Sequence, residues 1–187
     1  MRRALRLLAA DQAGMSLAEI LVACVIIAIG LVGLLSAVPT ASYGIQEGRQ
    51  LSTATFLANQ RLEQARNAAW TWTPLNVPPV NDCLGTSTSS TAAPISIACN
   101  GAAVTTFADE GPMAAPYAGY ARTVRITDCS VAPGCGGTIY ACLDMAPVAS
   151  CLREVTVTVS YRASTATGLA AAGTTKSAIV SMLVALK

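Results

Sequence analysis

Histidine is missing from all 187 residues. With it go the commonest general base, the usual partner of a catalytic serine or cysteine, and the most frequent zinc ligand. Charge is scarce as well: 12% of residues are Asp, Glu, Lys or Arg, and 5% are aromatic. No G-x-S-x-G elbow, phosphate-cradling glycine loop or spaced carboxylate pair stands out. Lone Ser and Asp residues therefore read as loop residues, and neither catalysis nor a cofactor is expected. Net charge is only +2. Loss of the residues through Gly14 would remove Arg2, Arg3, Arg6 and Asp11, leaving nine basic and nine acidic side chains. A neutral chain offers no electrostatic footprint for nucleic acid.

Cysteine is the exception to this scarcity, with seven residues. Cys24 lies inside an apolar run, and Cys83, Cys99, Cys129, Cys135, Cys142 and Cys151 lie beyond it. An even number in a loop-rich segment reads as a disulfide framework and an oxidising compartment. No C-x-x-C pair exists, so metal-bound thiols are a poor reading and no metal is expected. Sequence leaves 15 pairings of six cysteines open. Proximity favours Cys83–Cys99, Cys129–Cys135 and Cys142–Cys151.

The apolar residues are unevenly placed. Ile20 to Gln46 holds no charged side chain, and Ile20 to Val38 is a run of nineteen residues. As a helix that run is about 28 Å long, close to the hydrocarbon thickness of a bilayer. A secretory signal puts its apolar stretch before the cleavage site; here a short basic leader ending at Gly14 comes first. Arg2, Arg3 and Arg6 place the leader on the cytoplasmic side and the remainder outside. Glu19 sits at the head of the apolar run, and two readings of it are open. One is an acid in the first helical turn, favoured by the helix dipole at headgroup level. The other needs a cut after Gly14, which creates an α-amino group on Met15 one turn away. That amine could pair with Glu19 of its own chain or a neighbour and set register between packed helices.

The stretch G-M-S-L-A-E-I-L-V-A-C-V-I-I-A-I-G-L-V-G-L, starting at Gly14, resembles the prepilin cleavage and methylation motif of type IV pilins and pseudopilins. I-G-L-V-G-L is most similar to minor pilins of the PilV type. Met15 stands where Phe is usual, and Ala18 is smaller than the usual aliphatic residue. The resemblance implies cleavage between Gly14 and Met15 by a prepilin peptidase, N-methylation of Met15, and guidance of subunit addition by Glu19. The implied partners are other pilins through the N-terminal helix, the peptidase and an inner-membrane assembly platform. Before assembly the chain would be a single-pass inner-membrane protein with its C-terminus in the periplasm. Afterwards it would lie in a pilus or a periplasmic pseudopilus.

Four segments follow: leader 1–14, transmembrane and assembly helix 15–39, amphipathic helix 40–69, and a disulfide-stapled β headgroup 70–187. Leu51, Ala54, Ala58, Leu62 and Ala65 recur at steps of three and four and share a face. Pro39, Gly30, Gly33, Gly44 and Gly48 invite bending or local melting. Trp70 to about Gly119 is rich in Pro, Thr, Ser, Ala and Gly, and Thr86–Thr91 reads as a solvated loop tip. Asp109 and Glu110 are two adjacent acids, well short of a calcium shell. Period-two alternation marks strands near Tyr120–Thr127, Glu154–Tyr161 and Ala178–Leu186. The predicted class is α+β, a long N-terminal helix packed on a small antiparallel sheet. A structural filament subunit fits best. A type II secretion pseudopilin, a tip adhesin or DNA-capture subunit, and a membrane-anchored hydrolase are the competing classes.

Overall fold

The computed structural model describes residues 16–73, 76–132, 134–140, 151–163 and 173–186. Gly14, Met15 and Cys142 lie outside them. The chain divides into two compact units, residues 1–44 and 45–187. One helix, α1 (Leu17–Asn67), contributes to both and continues through Pro39 and its four glycines without interruption.

Among the described residues seven strands follow: β1 (Trp70–Thr73), β2 (Asn76–Asp82), β3 (Ile95–Cys99), β4 (Ala102–Thr105), β5 (Tyr120–Asp128), β6 (Leu152–Arg162) and β7 (Thr175–Ala185). They form two antiparallel pairs, β1–β2 and β3–β4, and an antiparallel sheet in the order β5-β6-β7. The three long strands are those that alternation marks. Val124 and Ile126, then Val155, Val157 and Val159, are fully buried, while the intervening Arg125, Thr156 and Thr158 lie half-buried on the other face. Register runs unbroken across both ladders, because a one-residue slip would turn every valine to solvent.

In the second unit Ala54, Leu57, Ala58, Leu62 and Ala65 of α1 belong to the same core as these valines. Alanines at the contact let helix and sheet approach closely, and Leu57 and Leu62 fill the remaining volume. The expected helical face is corrected at one position. Leu51 is 47% exposed and Leu57 is fully buried. The covered stripe runs through Glu47, Gln50, Ala54, Leu57, Ala58, Leu62 and Ala65, so Leu51 falls about 100° to one side of Gln50.

The Pro-, Ser- and Thr-rich stretch is not merely loop. It carries β1–β4, and Asn100–Gly101 closes the β3–β4 hairpin with both residues at positive φ (51° and 78°), the geometry of a two-residue I′ turn. Cys83 and Cys99 are joined by a disulfide, as are Cys129 and Cys135. Cys151 is also disulfide-bonded, while Cys24 is free and exposed.

Truncation of Leu57 to Ala should lower stability by about 2–5 kcal/mol, the usual cost of a leucine-sized cavity. Leu51→Ala should change it by no more than about 0.5 kcal/mol. Denaturant unfolding of the detergent-solubilised chain measures both; equal effects would contradict the corrected face.

Candidate functional site

The chemistry-bearing residues of the first unit sit at the start of α1. Ser16 precedes the helix, and its Oγ accepts the Glu19 backbone N–H at 3.2 Å. Ser16 thus acts as N-cap, with Glu19 at the third helical position, the spacing of a capping box. This signal, S-x-x-E, was readable in the sequence beside the charge argument. Glu19 lies in the first turn, where a carboxylate is favoured by the helix dipole. The local reading of Glu19 therefore has a direct structural basis. Pairing with the amine of a cleaved Met15 involves a residue outside the described ones.

From Leu17 to Val38 the large aliphatic side chains are 48–77% exposed. This segment belongs to a helix long and apolar enough to cross a membrane. Its hydroxyls turn back on the helix: Ser36 Oγ donates to the Gly33 carbonyl at 2.8 Å, and Ser42 Oγ to that of Val38 at 3.0 Å. Such back-bonding satisfies polar atoms in surroundings that cannot.

In the second unit four carboxylates organise the headgroup. Glu47 of α1 accepts the Lys176 ammonium at 2.9 Å and the Tyr161 hydroxyl at 3.1 Å. The Lys176 bond, helped by Tyr161, holds this carboxyl below its ordinary range against the opposing effect of burial. Burial and then Glu47 raise the Tyr161 phenol. Glu110 bridges Arg61 at 2.9 Å and Arg122 at 2.5 Å. Arg122 in turn donates to the Leu57 carbonyl at 2.9 Å, tying β5 to the C-terminal part of the helix. Asp82 pairs with Arg153 at 2.7 Å, whose guanidinium lies 4.3 Å over the Trp70 ring. Gly85 closes this cluster, donating to Asp82 at 2.9 Å and accepting from Arg153 at 3.2 Å. A side chain at Gly85, which has φ +71°, would meet the Ile95 carbonyl at 2.7 Å, so only glycine fits.

Asp109 takes two bonds from Arg125, at 2.6 and 2.9 Å, which hold its carboxyl below the usual range. Arg125 also donates to the Ser90 and Thr91 carbonyls at 3.1 and 2.8 Å. Ser87 bonds Ile126 through its backbone N–H at 2.8 Å. The Thr86–Thr91 segment is exposed at residues 88–91, as a solvated tip should be, and these bonds tie it to β5. Asp109 and Glu110, adjacent in sequence, serve different guanidinium groups rather than one cation. None of these ion pairs is visible in sequence, because the partners lie 12 to 129 residues apart.

Residues 10–35 match the family model for the prokaryotic N-terminal methylation motif. No curated protein and no solved structure is similar enough to the chain to count as a match. The matched stretch takes in Glu19 and the apolar start of α1, and it supports a type IV pilin-like subunit anchored through its N-terminal helix. A long apolar helix followed by small antiparallel sheets is the α+β arrangement of such a protein. The six candidate disulfide cysteines divide unevenly: four form the two bonds given above, Cys151 is bonded, and Cys142 is outside the described residues.

The Glu47 and Asp109 shifts fix a sign for acid stability. Both carboxyls are depressed in the folded chain, so their contributions are present above the unfolded carboxylate range and fade as pH falls through the folded values. Resistance to denaturant should fall below about pH 4, and Glu47→Gln should flatten part of that slope. An unchanged slope would show that the Glu47–Lys176 contact is not maintained in solution. Glu110→Gln removes the carboxylate facing Arg122, whose side chain is 6% exposed. It should cost about 3 kcal/mol in the same assay.

Proposed function

We propose that this chain is a subunit, of the minor-pilin kind, of a type IV pilus or related filament. The observation that carries the reading is the coincidence of the methylation motif at 10–35 with a helix whose apolar side chains, among the described residues, are left exposed. In this reading a prepilin peptidase cuts between Gly14 and Met15, and Met15 is N-methylated. The chain waits in the inner membrane with its headgroup outside, then enters the filament through an assembly platform. The new amine at Met15 lies four residues from Glu19. A carboxylate among packed apolar helices is costly without a partner, so charge pairing penalises axial misalignment. Glu19 acts here as a positioning group for its neighbours as well as for its own helix.

The I-G-L-V-G-L stretch (Ile29–Leu34) and the stapled loops favour a minor pilin over a type II secretion pseudopilin, whose N-terminus follows the same pattern. A DNA-capture role is disfavoured by charge. Arg61, Arg66, Arg122, Arg125, Arg153 and Lys176 are all held in ion pairs, which weakens any phosphate footprint.

Intact mass of the chain recovered from sheared surface filaments tests cleavage, methylation and location together. The expected mass is that of residues 15–187 plus one methyl group. Recovery only as uncut precursor in the membrane fraction would sink the proposal. Gly14→Leu should leave the precursor uncut. Glu19→Ala should be cut yet enter filaments at least about tenfold less, the factor matching 1.4 kcal/mol; normal entry would leave the Glu19 carboxylate its interaction with the helix dipole alone.

A further inference from the structure

We draw no further inference here: the strongest candidate, the open cleft of about 700 Å³ at the end of the three-stranded sheet, lined by Gln50, Tyr120, Tyr161, Arg162 and Thr175 among others, carries nothing, because its charged lining residue, Arg162, is exposed and nothing in the structure shows what fills it.

Discussion

An apolar helix that the described residues leave exposed is the constraint on which the rest depends. Between Leu17 and Val38 no large aliphatic side chain is less than 48% exposed. At about 25 cal/mol per Å², such a surface is strongly unfavourable in water. It is at home only in lipid or among like helices. The local details of α1 answer to that environment: a serine cap satisfies an N-terminal N–H, and serine hydroxyls bond back to carbonyls within the helix. The charge-free run excludes everything that lipid would penalise, which makes the single acid at its head conspicuous.

The headgroup solves a different problem. Its apolar core is a layer of valines and small helix residues, and much of the cross-linking between segments is done by guanidinium groups instead. Arg122 joins β5 to a helix carbonyl and to Glu110, Arg125 joins β5 to Asp109 and two loop carbonyls, and Arg153 joins β6 to Asp82 and Trp70. Each planar fork reaches several acceptors at once in a fixed geometry, where the ammonium of lysine offers three donors on a single nitrogen. With disulfides closing the Cys83–Cys99 and Cys129–Cys135 loops, irregular backbone is fixed without a large core. With Arg61, Arg66 and Lys176, which are also paired, these three arginines bring to six of twelve the Lys and Arg residues that sit beside a carboxylate.

How much of this was legible in sequence depended on range. Periodicity is local, so the valine alternation of β6 and the apolar run of α1 could be read directly. Burial of Leu57 in place of Leu51 could not, because the face of a helix is settled by what packs on it, and the stripe begins with polar Glu47 and Gln50. β3 and β4 had a local signal in Asn100–Gly101, but the Pro-, Ser- and Thr-rich surroundings obscured it. The ion pairs had none: Asp82 and Arg153 are 71 residues apart, and nothing in either neighbourhood names the other. Of the candidate site, the motif was fully readable as a pattern. The helix cap at Ser16 was readable as S-x-x-E yet easily overshadowed by the charge of Glu19.

The β3–β4 turn has a chemical consequence of its own. Asparagine followed by glycine is the pair whose side-chain amide is most readily attacked by the next backbone nitrogen, since glycine offers no steric shield. The attack expels ammonia, and hydrolysis of the resulting succinimide by water leaves aspartate or isoaspartate. At position 100 an oxygen would remain to accept from Asn81 Nδ2, which now donates to Asn100 Oδ1 at 3.1 Å. Isoaspartate, however, lengthens the main chain by one carbon between Cys99 and Ala102, residues now paired across the hairpin. The staple at Cys83–Cys99 would hold one side of that hairpin while the other shifted. The tip of the hairpin therefore carries a slow clock, through which an old molecule would differ from a new one.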